Sequence, residues 1–232
     1  MRYAIGIVNF NGDIFLEKQI QRIRKYLLLL PGDTLDILVA DNSRTRGCST
    51  CHGEKKNLNK SICDDYGMIY LPMNFDEGDN SAHHALALNY LYETYKQNFN
   101  YLLFLDHDLF PVDYSDILTS ELQKTFIGLA QQKGETKYLH PAILRLNLDN
   151  LNGQSLDFLP SAHLDTGGKL ADLINDENTS YLSISYVNYD DDFYEFIGGK
   201  FMHFIKGSNW NGNPNHKNRL NFLFKELERV SR

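Results

Sequence analysis

The stretch YLLFLDHDLF, Tyr101 to Phe110, decides how this chain is read. Its first five residues are apolar, as expected of a strand buried on both faces of a sheet. The next three are Asp106, His107 and Asp108. Burying an unpaired carboxylate costs several kcal/mol after relaxation. Two aspartates at the end of such a strand therefore need a cation, a hydrogen-bond network or water. Ligands of open α/β sheets sit beyond the carboxyl ends of the strands, so the position itself points to a site.

Working outward, the same pattern of apolar run followed by polar cluster appears twice before this strand. Tyr3 to Asn9 (YAIGIVN) and Leu35 to Ala40 (LDILVA) read as buried parallel strands, followed by Asn9-Phe10-Asn11 and Asp41-Asn42-Ser43. Asp13 to Leu30 carries apolar residues near helical spacing and is closed by Pro31-Gly32, so a helix is expected there. Gly47 to Asp65 is polar and reads as irregular, Met68 to Leu71 as a short strand, and Ser81 to Tyr95 as a helix with Ser81 as a candidate cap. After the central strand, a helix is expected over Tyr114 to Lys133. A strand over Tyr138 to Leu146 should lie at an edge or a bulge because of Pro141. Asp165 to Asn175 reads as a short helix opened by TGG, and Tyr181 to Val187 as an alternating strand. FMHFI follows GGK as another strand, and Lys217 to Arg232 reads as a terminal helix. This order specifies an α/β fold with a Rossmann-related first half in a single domain.

Composition bounds the function. The 232 residues are 42% hydrophobic, and 23 basic against 30 acidic residues give a formal charge of −7. That balance argues against sequence-independent nucleic-acid binding, which runs on phosphate neutralisation, although Lys200, Lys206, Lys217 and Arg219 crowd the last fifth of the chain. The start, MRYAIGIVNFNGD, carries no long apolar run of a signal peptide, and no run reaches the length of a membrane span, so a cytoplasmic protein is expected. Cys48, Cys51 and Cys63 are too few and too clustered for a disulfide framework. Cys48-x-x-Cys51-His52 has half of a zinc pattern, but no second pair completes it, and an ordinary reduced loop is the preferred reading.

Asp and Asn also form turns after strands, so each polar cluster has an ordinary explanation. Their convergence on one end of the sheet is what favours a site. Carboxylates two positions apart suit Mg²⁺ or Mn²⁺, which take hard oxygen ligands, with a diphosphate completing the shell.

These residues resemble GT-A glycosyltransferases, whose D-x-D motif holds a metal and a nucleotide sugar. IGIVNFNG and LVADNSR look like the first two nucleotide-binding strands, and FLDHD takes the D-x-D place. MNFDEGDNSAHHALALN is similar to the glycine-containing loop and helix of the inverting family 2 enzymes. The resemblance runs from about Tyr3 to Trp210 and implies a GT-A-like, mixed, mainly parallel sheet flanked by helices. It implies a nucleotide-binding half over residues 1–110 and an acceptor-binding half over 111–232, the latter with a C-terminal metal and phosphate loop.

The resemblance also assigns roles. Asn9, Asn11 and Asp41 would contact the nucleotide, with Asp106, Lys206 and Trp210 at its diphosphate end; Asp106, Asp108 and His203 would hold Mn²⁺ or Mg²⁺. Asp165, in LDTGGKLADLI, falls where the family keeps an acidic general base, although the family's usual acidic pair is Asp-Thr here. A helix N-cap is the alternative role for Asp165. His203 lies in FMHFIKGSNW, where a late histidine joins the metal in many such enzymes. A hydrogen-bonded core histidine is its alternative, and His83, His84, His107, His140 and His163 are lesser candidates.

The implied activity is a hexosyltransferase-like transfer from a nucleotide-diphosphate sugar to a carbohydrate or glycan hydroxyl, with inversion. A nucleotidyltransferase of related fold is one rival, but NFNGDIF lacks the basic residues such a phosphate loop needs. A non-catalytic carbohydrate-binding or scaffold protein that keeps the fold is the other.

Overall fold

The computed structural model describes residues 1–43, 51–75, 80–161, 163–188, 194–205 and 217–231. In chain order the elements are β1 (Arg2–Asn9), α1 (Asp13–Tyr26), β2 (Thr34–Asp41), α2 (Cys51–Asp65), β3 (Ile69–Pro72), α3 (Asn80–Tyr95), β4 (Tyr101–Asp106) and β5 (Leu109–Pro111). Then come β6 (Phe126–Lys133), β7 (Thr136–Asn147), α4 (Leu148–Leu151), a 3-10 turn (Gly168–Leu173), β8 (Thr179–Leu182), β9 (Ile184–Asn188), β10 (Tyr194–Ile197), β11 (Phe201–Phe204) and α5 (Lys217–Val230).

Seven strands form one sheet in the order β3-β2-β1-β4-β7-β6-β8. Its first four strands run parallel, β7 is antiparallel to β4 and β6, and β8 is parallel to β6. The expected α/β class, with a mixed and mainly parallel sheet flanked by helices, is what the chain adopts. Alternation explains why β1 is apolar throughout. Tyr3, Ile5 and Ile7 enter a core with Leu16, Ile20 and Ile23 of α1, while Ala4 and Val8 enter a second core with Ala85, Leu88 and Leu91 of α3. Burying a side chain of this size contributes about 1.5–3 kcal/mol.

A second, antiparallel sheet runs β5-β11-β10-β9. It is joined to the first by the Asp106–Asp108 turn, because β4 ends at Asp106 and β5 begins at Leu109. Behind it, Phe15, Phe110, Met202, Phe204, Leu223 and Leu227 form a third core that seats α5. Among the described residues, no helix is long and apolar enough to cross a membrane.

Several expected elements differ. The first helix stops at Tyr26, four residues early; Leu27 turns to an extended ψ of 122° and bridges to Ser115. Residues expected to be irregular form α2, which presents only a narrow inner face, with Asn59 and Cys63 buried and Leu58 exposed. The helix expected over Tyr114 to Lys133 is instead a looped segment followed by β6. The buried Arg145 side chain organises that segment by donating to the carbonyls of Ile117, Ser120, Glu121 and Lys124. β7 is not an edge strand, but Pro141 does sit at a bulge. Gly128 pairs with Leu144 while the next residue, Leu129, pairs with His140, so Pro141 is not asked for a ladder donor. The single strand expected over Tyr181 to Val187 breaks at Ser183 and serves both sheets as β8 and β9. β10 was not expected at all.

Candidate active site

Asp106, His107 and Asp108 end the central strand, and the two-residue period separates them. Asp106 and Asp108 turn toward a cavity of about 550 Å³ between the two sheets. His107 also lines the cavity, and its ring reaches back toward β1 and α1. Its Nδ1 lies 3.2 Å from the Val8 carbonyl and its ring centroid 5.8 Å from that of Phe15. Gly12 makes room for it, since a Cβ there would sit 2.3 Å from His107 Cδ2. The turn itself is held by Gln19 of α1, whose Nε2 donates to the carbonyls of Asp106 (2.6 Å) and Leu109 (2.7 Å). Gln19 was not singled out in the sequence, although a polar residue amid Leu16, Ile20 and Ile23 on a buried helical stripe is the signal that finds it.

Each aspartate meets a histidine. His84 Nε2, near the N-terminal end of α3, lies 3.0 Å from Asp106 Oδ1. His203 Nε2, on β11, lies 3.5 Å from Asp108 Oδ1. Its other ring nitrogen, Nδ1, is 2.8 Å from Glu195 Oε1. Carboxylate oxygens of Asp106 and Asp108 and a ring nitrogen of His203 all lie within 4.8 Å of one another. The expected metal-ligand residues are therefore brought together from β4, the turn after it and β11.

Electrostatics follow from this crowding. Burial opposes ionisation of Asp106, but His84 at hydrogen-bond distance, with His140 and His203 beyond, outweighs it and holds the carboxyl below its usual range. Burial likewise opposes ionisation of Asp108, and His107 and His203 reverse the effect. Burial disfavours a charged His203, yet its bonds to Asp108 and Glu195 push it up to about 10. His140, buried among other imidazoles, is lowered first by burial, with repulsion from His84 and His203 added. Its Nδ1 accepts from the Ala142 amide (3.2 Å), one of the amides released by the Pro141 bulge.

The donor set fits a divalent cation. Two carboxylates and an imidazole are hard-to-borderline ligands of the kind Mn²⁺ and Mg²⁺ accept. Nδ1 of His203 is engaged by Glu195, so Nε2 faces the aspartates. The proton that Nε2 carries between Asp108 and its ring is the one a cation would displace.

Asp165 lines the same cavity from the loop before the 3-10 turn. Its Oδ1 accepts from the Thr166 amide at 2.8 Å, and the residue that caps the 3-10 turn is Gly167, without a side-chain bond. The helix-capping role considered for Asp165 is thus not the one it has. Burial raises the Asp165 carboxyl, and the Thr166 amide, Ser81, His140 and His84 more than offset this, leaving it lowered. Gly167 has φ 84°, and a Cβ there would meet the Leu139 carbonyl at 2.6 Å, which is why glycine stands here.

Asn9 and Asp41 are fully buried and are not among the residues lining the cavity. Asn9 Nδ2 donates to Asp41 Oδ1 (3.0 Å) and Ser43 Oγ (3.3 Å), and Asp41 Oδ2 accepts from Asn59 Nδ2 (3.0 Å) and the Tyr70 hydroxyl (2.9 Å). This network ties the ends of β1, β2, α2 and β3 together. The residue that reaches the cavity from this strand end is Asn42. Asn11, at φ 53°, lies beside the network, its amide donating to Ser43 Oγ (3.0 Å). His83 and His140 line the cavity, and His163 is exposed outside its lining. Lys206, Trp210 and Cys48 lie outside the described residues, as do the side chains of Cys51 and His52; Cys63 is buried in the core beside α1.

No family model matches the chain, and no curated protein matches it either. The solved structures it matches include several GT-A glycosyltransferases. Mouse xyloside xylosyltransferase 1 aligns at TM-score 0.44 and 9% identity, covering 67% of this chain and 70% of that one. A mannosyltransferase from Pyrobaculum calidifontis, solved with GDP-Man and Mn²⁺, aligns at 0.44 and 10%, covering 65% of this chain and 45% of that one. The galactosyltransferase LgtC, solved with donor and acceptor sugar analogues, aligns at 0.46 and 14%, covering 77% and 72%. The chain thus spans under half of the mannosyltransferase and about seven-tenths of the other two.

Proposed function

We propose that the chain is a metal-dependent glycosyltransferase that moves a sugar from a nucleotide-diphosphate donor to a carbohydrate hydroxyl with inversion. The observation that carries this reading is the Asp106, Asp108 and His203 cluster at the carboxyl end of the central strand, opening on a cavity that also holds Asp165. Asp106, Asp108 and His203 would hold Mn²⁺ or Mg²⁺, which when bound supplies Lewis-acid stabilisation of a departing diphosphate.

The chain's own groups divide the remaining work. The half over residues 1–110 binds the nucleotide and the half over 111–232 binds the acceptor and contributes the loop with Lys206 and Trp210, assigned to the diphosphate. Asn9, Asn11 and Asp41 act from behind the cavity wall by fixing the ends of β1 and β2, and Asn42 is nearer the donor. Asp165 takes the proton of the acceptor hydroxyl. Its lowered proton affinity keeps it ionised and available, and makes it a weak base. Transfer therefore has to accompany loss of the leaving group rather than precede it.

The test is donor turnover. Incubation with a panel of nucleotide sugars and Mn²⁺ should release nucleoside diphosphate from one of them, and Asp108→Ala should abolish the release. Metal-independent nucleotide affinity by calorimetry, together with no turnover of any donor, would sink the reading.

A further inference from the structure

Glu195 was not expected to matter, and its surroundings need an explanation. It is a carboxylate only 6% exposed on a four-residue strand, YEFI. Among the described residues, its hydrogen-bond partner is the His203 ring, with Nδ1 2.8 Å from Oε1. β10 and β11 pair antiparallel with Glu195 directly opposite His203, so backbone register alone brings the two side chains to one face. On the opposite face, Tyr194, Met202 and Phe204 enter the core that seats α5. β11 pairs in turn with β5 through His203 and Leu109, and the Phe204 amide donates to the Asp108 carbonyl at 2.9 Å. Glu195, His203 and Asp108 thus sit on one hydrogen-bonded framework.

We propose that Glu195 is a positioning residue for the cation site, fixing the ring orientation and tautomer of His203 so that Nε2 faces Asp106 and Asp108. The proposal rests on reading those three residues as cation ligands. A neutral imidazole carries its proton on one nitrogen, and the bond made by the other decides which nitrogen is free to ligate. A carboxylate on Nδ1 places the proton there. Glu195 lines the cavity but is not one of the three residues whose ligand atoms cluster, so it acts through His203 rather than on the ion. Removing such a partner typically weakens metal affinity by about 10- to 100-fold.

The experiment is a calorimetric titration of Mn²⁺ into the full chain and four variants: Glu195→Met, Glu195→Gln, His203→Ala, and His203→Ala combined with Glu195→Met. Met keeps the volume and removes the acceptor; Gln keeps an acceptor oxygen for Nδ1–H. Glu195→Met should bind about 10- to 100-fold more weakly, and Glu195→Gln should recover most of that loss. In the His203→Ala background, Glu195→Met should cost nothing further, because its effect is routed through the ring. Wild-type affinity in Glu195→Met overturns the inference. So does an equal loss in both backgrounds, which marks a through-space charge effect. A wild-type chain that takes up no Mn²⁺ overturns the cation site itself, and a lost ligand set is thereby separated from a lost positioning role. Nitrogen-15 histidine NMR of the Mg²⁺-loaded wild type gives a second reading that depends on no variant folding. A proton on Nδ1 of His203 is expected, and a proton on Nε2 overturns the proposal.

Discussion

At the scale of residues, the two buried aspartates differ from the buried arginine in what satisfies them. Asp106 and Asp108 each lie against an imidazole at the edge of a cavity, and their oxygens and a His203 ring nitrogen are close enough together to share a cation. Among the described residues, no acidic side chain forms an ion pair with Arg145; its guanidinium lies 5.2 Å from the Tyr101 ring centroid and donates to four carbonyls of the segment before β6. That fork cannot be replaced by an ammonium, which is a point donor. Arg145→Met should therefore destabilise the chain by at least about 3 kcal/mol, since hydrogen bonds to charged groups contribute about 1.5–3 each. Arg145→Lys should fail to restore it, as urea denaturation would measure. Asp165 calls for the opposite result. Asn keeps its shape and its acceptance of the Thr166 amide, so Asp165→Asn should leave stability and donor affinity nearly unchanged. As a general base, it should lower kcat by about 10²- to 10⁴-fold. A normal kcat, or retained anomeric configuration in the first product by proton NMR, would remove Asp165 from that role.

At the scale of elements, α2 shows how a helix without an apolar stripe is held. Its inner face offers Asn59 to Asp41 and buries Cys63. Burial, with Asp41 and Asp64 nearby, pushes the Cys63 thiol up to about 12 from 9.0. The folded state therefore keeps this proton longer than the unfolded chain does. The stability so contributed is complete below pH 9 and is lost as the pH climbs from there toward 12. Between pH 8 and 10.5, wild type should lose on the order of 1–2 kcal/mol more than Cys63→Ala, at 1.36 kcal/mol per pKa unit. Urea melts of both proteins at the two pH values check this, and equal losses would show that the thiol is not what titrates. Element boundaries were legible where apolar period and punctuation agreed, as in β1, α3 and β4. They failed where a polar stretch folds only against a partner, as in α2. They failed again over Tyr114 to Lys133, where spacing fits a helix but Arg145, distant in sequence, captures the carbonyls.

At the scale of the molecule, the candidate cation site joins the two sheets, since Asp106 ends a strand of the larger and His203 belongs to the smaller. A ligand held only when both sheets are in place stabilises the whole native state by mass action. At 100 times its Kd, Mn²⁺ should add about 2.7 kcal/mol, which for a chain of this size raises Tm by roughly 5–11 °C at about 2–4 °C per kcal/mol. Differential scanning fluorimetry should show that rise for wild type and none for Asp108→Ala. A rise of equal size in the variant would place the binding elsewhere.

The sequence by itself determined the alternation of buried strands with helices, the polar residues at strand ends, and the candidacy of Asp106, Asp108 and His203. The first two and the aspartates follow from local period and from the cost of burying a carboxylate, both readable along the chain. His203 is a candidate through the resemblance of FMHFIKGSNW to a family pattern. Only the tertiary structure decided that Asp41 is saturated behind the cavity wall and that His107 Nδ1 meets the Val8 carbonyl. It alone brought His84 to Asp106 and Glu195 to His203. Such partners are set by strand register and by packing between distant segments, and neither leaves a trace in local spacing. A titratable side chain's neighbours, and hence its charge, are properties of the folded chain.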